Sequence, residues 1–387
     1  CMYGFLKNLR FFKPFLILFF LEKGLDFFQI GLLYAIRELT RNLLEIPAGV
    51  FADVRGRRKS MIMAFSCYIL SFIIFYFQSV FAMFIPAMLL FAFGDAFRTG
   101  THKAMIFEYL RIQGWQDQKV HYYGHTRSWS QIGSAVSSLI AAAIVFHSGS
   151  YSSIFLFTLI PYILDLLLMI SYPQSLEGSS KNKNQKIRDS FREVFKDFIR
   201  SLGKKNIRRG LINVSIFSAY FKAMKDYLQP LVKTAALSLP FFLKFEDKER
   251  SALLIGSIYF CLYFITSYSS RSSGRLAGIF SSKSKALNIS LMIGFFAGIA
   301  GGILYSLDFF ILGIMIYVGI FIVENIRRPL GVAYITDILD KDILATALSV
   351  ESQIKTLFAI IIAPLLGLLA DTIGLGYAIS TVTLMMI

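Results

Sequence analysis

The chain has 387 residues, 56% hydrophobic and only 17% charged, with a formal net charge of +16. A soluble domain carries about a quarter charged residues, so this composition, spread over long apolar runs from end to end, excludes a soluble globular protein and reads as an integral membrane protein. The positive balance does not point to nucleic acid. The lysines and arginines sit between apolar runs, where retention of positive loops on the cytoplasmic side accounts for them.

A hydrocarbon core about 30 Å thick takes roughly 20 helical residues to cross. On that ruler the sequence predicts spans near 5–22, 28–52, 60–79, 82–110, 120–147 and 151–172, then 208–240, 251–270, 285–306, 308–338, 343–369 and 373–387. The first run has no small-residue cleavage site and many runs follow it, so it is a span and not a signal peptide. Cys1 precedes Met2, which reads as the native start, and the last run is short for a crossing, which reads as a cut C-terminus. Cys67 and Cys261 lie inside apolar segments and Cys1 at the end of the chain, so no disulfide framework is expected.

With the N-terminus inside, the basic segments Arg55–Lys59, Arg111–Lys119, Lys181–Arg209 and Arg271–Lys285 all fall on the cytoplasmic side. The opposite loops are bare of charge or mixed, as between Lys244 and Arg250. Both termini are then cytoplasmic. A linker over 173–207 begins polar and flexible. It continues with Ile187, Phe191, Val194, Phe195, Phe198 and Leu202 at helical spacing among lysines and arginines, the pattern of an amphipathic helix on the inner leaflet. It separates a first six-helix bundle, residues 1–172, from a second, residues 208–387.

The two halves share an internal repeat. DAFRTGTHKAMIFEYL from Asp95 aligns without gaps with ENIRRPLGVAYITDIL from Glu324, so that Asp95 matches Glu324, Arg98 matches Arg327 and Glu108 matches Asp337. Ser130-Gln-Ile and Ser352-Gln-Ile follow in the next spans, making spans four and ten, and five and eleven, counterparts.

Between the second and third spans stands GVFADVRGRRK, Gly49 to Lys59, a tight charged turn at a membrane face. Gly49, Asp53, Gly56, Arg57 and Arg58 fit the pattern G-x-x-x-D-x-x-G-R-[RK] in register. This stretch resembles the loop between helices two and three of the major facilitator superfamily, and parallel repeats of six spans are that family's plan. The resemblance implies an all-α integral membrane fold, twelve transmembrane helices in two pseudo-symmetric six-helix bundles. It also implies secondary active transport by alternating access, with protons as the default coupling ion. Asp53 ends its helix where the macrodipole disfavours an anion, so it is expected to meet the start of span eleven and, with Arg57, to latch the cytoplasmic gate. Two departures weaken a multidrug-exporter reading. Gln131-Ile-Gly-Ser-Ala-Val stands where drug antiporters carry a Gly-Pro-x-x-Gly-Gly motif, and the first span has no acid before Glu22.

Ionisable residues inside spans are costly and face a partner or a wet cavity. Arg37, Arg41 and Glu45 share one face of span two. Asp95, Arg98 and His102 form a stripe in span four, Arg127 lies in span five, and Lys222 and Asp226 lie in span seven. Arg37, Arg41, Arg98, His102, Arg127, Lys222 and Arg327 are therefore the candidate substrate-binding residues. Their excess over acids indicates a small anionic or zwitterionic solute. The candidate proton-coupling acids are Glu38, Asp226, Asp95 and Glu324. Arg98 and Arg327 stand one turn from Asp95 and Glu324 and can pair with them within their own helices, which leaves Asp226 and Glu38 as the better proton carriers. His121 and His125 read as interfacial and not as metal ligands, and no cofactor, metal, nucleotide loop or hydrolytic motif is expected. The expected partners are a small-molecule solute, the bilayer and protons, for a monomer in a bacterial inner membrane. Three alternatives stay open: charges that only hold the bundle together, a lipid-handling flippase or scramblase, which the 39 phenylalanines would suit, and a multidrug-type exporter.

Overall fold

The structure, a computed structural model, describes residues 2–115, 118–177, 205–238, 240, 243–280, 282–338 and 344–387. Among these every regular element is helical. In chain order they are α1 (Met2–Leu6), α2 (Leu16–Glu22), α3 (Phe27–Arg55), α4 (Arg57–Phe77), α5 (Phe81–Arg98), α6 (Thr101–Ile112), α7 (Lys119–Ser148) and α8 (Ser153–Ser171). There follow α9 (Lys205–Met224), α10 (Leu228–Ser238), α11 (Asp247–Ile279), α12 (Lys283–Ser306), α13 (Phe310–Ile338), α14 (Leu344–Ile373) and α15 (Leu375–Met385). The amphipathic segment expected over 187–202 lies outside the described residues.

Eight stretches among the described residues are long and apolar enough to cross a membrane. The other four expected spans fall short for identifiable reasons. The second, α3, interrupts its apolar run with Arg37, Glu38, Arg41 and Glu45, and the twelfth, α15, has 11 residues. The first is split into α1 and α2 by the turns of residues 7–15, and the seventh into α9 and α10 by a single 3-10 turn at Lys225–Tyr227. The fourth is broken as well. Thr99 is extended and Gly100 takes φ +84°, a conformation only glycine adopts freely, between α5 and α6.

Broken backbone at membrane depth survives only where protein groups or an aqueous cavity satisfy it. Here side chains do so. At the first break, Tyr162 Oη donates to the Lys7 carbonyl (3.3 Å) and Asn8 Nδ2 to that of Gly4 (2.7 Å). At the fourth-span break, Thr101 and Ser60 donate to the Phe97 carbonyl (2.8 and 3.0 Å). In the seventh span, Tyr317 Oη donates to the Met224 carbonyl (2.6 Å). Three of the predicted continuous spans are thus discontinuous where polar side chains converge.

The chain packs as two compact units. One holds Cys1–Leu25, Ile36–Asn182 and Leu239–Tyr263; the other holds Asp26–Ala35, Lys183–Ser238 and Phe264–Ile387. Each includes one short segment from the opposite half of the sequence. In the first unit, Glu22 fixes that segment by accepting from Lys248 Nζ (2.5 Å), while its other oxygen accepts the Tyr151 amide (3.1 Å). In the second, the Asp371 carboxylate accepts the Phe27 and Phe28 amides (3.0 and 2.8 Å) and so caps the start of α3. The core of the first unit is aromatic. Phe12, Phe19, Phe72, Phe75, Phe91 and Phe155 are all buried and pack ring on ring, with Phe12 stacked on Phe155 at 5.7 Å.

Candidate functional site

The break in the first span carries Arg10 into the middle of the first unit. Its Nε donates to Tyr162 Oη of α8 (2.9 Å), and its Nη2 lies 3.6 Å from Asp95 Oδ1 of α5. The same carboxylate oxygen accepts from Tyr68 Oη of α4 (2.5 Å) and from Arg98 Nη2 (3.2 Å), and Arg98 Nε donates to Tyr68 Oη (3.0 Å). The side chains of Arg10, Arg98 and Asp95 are 20%, 16% and 14% exposed. Two guanidinium groups therefore share one carboxylate in a place nearly closed to solvent. Tyr68 can reach it because α5 has Gly94 where the ring crosses: a Cβ there would lie 2.8 Å from the Tyr68 ring. Nearby, Asp165 of α8 is fully buried and neither of its carboxylate oxygens has a hydrogen-bond partner among the described residues. The charges that bear on it are those of Lys7 and Arg98. His102 stacks on Tyr3 with ring centroids 3.6 Å apart.

Along α3, Glu38 lies between two cations. Arg37 Nη2 is 3.0 Å from one of its oxygens and Arg41 Nη1 is 3.8 Å from the other. The basic turn engages neighbouring helices of the same unit. Gly56 takes φ +100°, Arg57 lies 3.7 Å from Glu108 of α6, and Arg58 donates to the Ile170 carbonyl at the end of α8 (2.5 Å). Gly49 has open space around its Cα. Asp53 is exposed and makes no ion pair among the described residues. The side chains at the start of span eleven that it is expected to meet, 343–350, lie outside them, as does the side chain of Arg127.

In the second unit the charges group differently. Lys225 Nζ donates to both oxygens of the buried Asp226 (2.7 Å each) at the 3-10 turn, one helical turn beyond Lys222. Glu324 of α13 accepts from Ser218 Oγ of α9 (2.9 and 3.1 Å) and has no ion-pair partner among the described residues. The pair expected between Glu324 and Arg327 does not form. Arg327 turns away, donating to the Leu287 carbonyl, to Ser290 Oγ (2.9 Å) and to the carbonyl and Oδ1 of Asn213 (3.0 Å each), with its guanidinium over the Phe217 ring. The reason lies one residue before the acid. Gly94 precedes Asp95, but Val323 precedes Glu324, and it is Gly294 of the facing helix α12 that makes room for Val323 and the Phe217 ring. Among the described residues no tyrosine hydroxyl bonds Glu324 or Arg327 as Tyr68 bonds Asp95 and Arg98.

With the geometry in place, comparison with known proteins is decisive at the level of family. The profile of the Major Facilitator Superfamily matches residues 6–350. The chain belongs to the major facilitator superfamily. It is 24% identical over 379 residues to the uncharacterized MFS-type transporter YxaM of Bacillus subtilis (strain 168), covering 94% of this chain and 86% of that one. Among solved structures, the nucleoside transporter NupG superposes with a TM-score of 0.75 at 13% identity, covering 100% of this chain and 94% of that one. A POT family transporter in complex with 5-aminolevulinic acid gives 0.72 at 13% identity, covering 100% and 92%. These likenesses establish the fold.

This major facilitator protein is thus an integral membrane secondary transporter and not an enzyme. Its buried polar cluster contains residues that sequence reading passed over. Arg10 and Lys7 were hidden because residues 5–22 read as one continuous span. Asp165 left a usable signal, the lone carboxylate in the apolar run of α8. Tyr68 and Tyr162 left none, since a tyrosine in an apolar helix does not announce a charged partner.

Proposed function

We propose that this transporter moves a small anionic or zwitterionic solute across a bacterial inner membrane by alternating access, coupled to protons. Both termini are cytoplasmic, and bundles 1–172 and 208–387 are joined by the linker 173–207. The reading is carried by Arg10 and Arg98 converging on a single carboxylate beside a broken helix. Guanidinium forks grip carboxylate or phosphate with paired hydrogen bonds, and a substrate anion can take the place of Asp95 between them. The 5-aminolevulinic acid found in complex with a POT family neighbour is a zwitterion of this kind. For protons, Glu38 and Asp226 are held in ion pairs, whereas Glu324 and Asp165 form none among the described residues. Acids without a cationic partner are the ones able to exchange a proton without first breaking an ion pair, so Glu324 and Asp165 take this role.

The test is uptake by proteoliposomes of a panel of radiolabelled amino acids, small carboxylates and nucleosides under an imposed pH gradient. Wild type is expected to accumulate at least one charged solute, and Arg10→Lys and Arg98→Lys to lose most of that flux. Flux unaltered in both lysine variants would remove the proposed substrate site. Flux indifferent to the gradient would remove the coupling.

A further inference from the structure

We propose that the second unit carries a binding site for the headgroup of an anionic phospholipid, in the cleft between the starts of α9 and α12 and the end of α13. The cleft encloses about 320 Å³ and is lined by Arg209, Asn213, Ser284, Asn288 and Tyr334, with Gly210 and Leu287 completing it. It is separate from the Arg10–Asp95–Arg98 cluster, and the proposal does not depend on the transport reading.

The wall behind the cleft fixes the polarity of its lining. Arg327 is buried, and a guanidinium donates but never accepts. Since Arg327 Nη2 bonds Asn213 Oδ1, the Asn213 amide must turn its Nδ2 outward, and it donates to Asn288 Oδ1 (2.9 Å). That leaves the Asn288 NH2 group as the free end of the chain, a donor. Arg209 adds a cation with no ion-pair partner among the described residues, and Ser284 and Tyr334 add hydroxyls. Asp337, the acid near this end of α13, is neutralised by Lys283 (2.6 Å). A cleft lined by donors and a cation, with its nearby acid already neutralised, suits a phosphodiester.

The surface beside the cleft says which phosphate compound fits. Ile289, Met292, Ile293 and Phe296 are exposed on α12 at i, i+3, i+4 and i+7, an apolar stripe that starts next to Asn288 and runs along the span. Lys285 is exposed one turn below that stripe. A polar anion-binding pocket at the interface, continued by an apolar track at membrane depth, matches a headgroup with its acyl chains and not a soluble anion.

The experiment uses the full chain in detergent, with phosphatidylglycerol, phosphatidylcholine and inorganic phosphate as separate probes. Phosphatidylglycerol is expected to raise Tm and to persist as an adduct in native mass spectrometry, with phosphatidylcholine at least tenfold weaker and inorganic phosphate without effect. Arg209→Gln and Asn288→Asp are expected to erase the preference, while Arg209→Lys retains most of it. Photoactivatable phosphatidylglycerol on the wild-type chain should label peptides within 205–213 and 284–296. Equal binding of the two lipids, preference surviving in Arg209→Gln, or labelling confined to other segments would overturn the site. Stabilisation by phosphate alone would make it a soluble-anion pocket and overturn the lipid assignment.

Discussion

Asp95–Arg98 in the first unit and Glu324–Arg327 in the second have the same i, i+3 spacing at matched places of the repeat, yet only the first pair closes, at 3.2 Å. In one, a glycine on α5 admits a tyrosine from α4, whose hydroxyl bonds acid and arginine together. In the other, small and large residues have changed places across the helix contact, and the arginine goes to backbone and amide oxygens instead. Helical spacing makes a pair possible. The facing helix decides whether it forms. A duplicated motif therefore transmits geometry along its own helix but not the chemistry opposite it, and the two copies have separated into a charged cluster and the wall of a cleft.

The largest expected consequence is an asymmetry in stability. Asp95→Ala leaves Arg10 and Arg98 together without their carboxylate, and removing one partner of a buried ion pair costs about 3 kcal/mol, the lower end because these side chains keep some exposure. Glu324→Ala removes one hydroxyl contact and should cost no more than about 1 kcal/mol. Unfolding in detergent, followed by Tm, checks the pair; equal losses would mean that the two copies are equivalent after all.

The next effect concerns substrate. Arg98→Lys keeps the charge but loses the fork that reaches Tyr68 and Asp95, so solute affinity should fall by roughly 1.5–3 kcal/mol, the worth of a charged hydrogen bond, which is tenfold or more. Arg327→Lys should leave affinity unchanged, because Arg327 is spent on Asn213, Leu287 and Ser290. Solute titration by thermal shift measures both, and a loss in Arg327→Lys as large as in Arg98→Lys would restore the symmetric reading of the repeat.

Much of this architecture was legible in the sequence, for physical reasons that also mark where reading stops. Apolar runs of membrane length located the spans, the turn at Gly56 followed from its composition, and the Asp95–Arg98 pair followed from helical spacing. The helix breaks were not legible. A single Gly100 within a long apolar period reads as tolerated, and Lys225-Asp226 reads as two charges on a helix and not as a 3-10 turn. Arg10 gains its meaning from Asp95, 85 positions away, and Asp165 from having no hydrogen-bond partner among the described residues. Such contacts are set by tertiary packing, which a one-dimensional period does not carry. The failures cluster at the polar groups, where local preference gives way to function.

The last and smallest contrast is in the backbone. The repeat aligns Gly100 with Pro329, and both copies mark the same place with a residue unsuited to a helix interior, but by opposite means. Gly100 actually breaks its span, at φ +84°, ψ −41°, whereas α13 continues through Pro329 without interruption. A Cβ on Gly100 would meet open space, so Gly100→Ala is penalised by backbone strain alone, about 1–3 kcal/mol for a disfavoured φ/ψ region. Pro329→Ala has the opposite sign. It returns an amide donor to a helix that already accepts the proline, and alanine is the better helix former by up to about 3 kcal/mol in a helix interior, of which a gain near 1 kcal/mol is expected once the greater freedom of the unfolded chain is subtracted. If the break beside Arg98 serves transport, Gly100→Ala should also slow solute flux more than its stability loss explains, because a change at the break would disturb the Thr101 and Ser60 hydrogen bonds to the Phe97 carbonyl, one residue before the arginine. Pro329→Ala should raise Tm and leave flux within twofold. Equal and opposite changes in Tm with identical flux in both variants would show that the break shapes the helix but not the site.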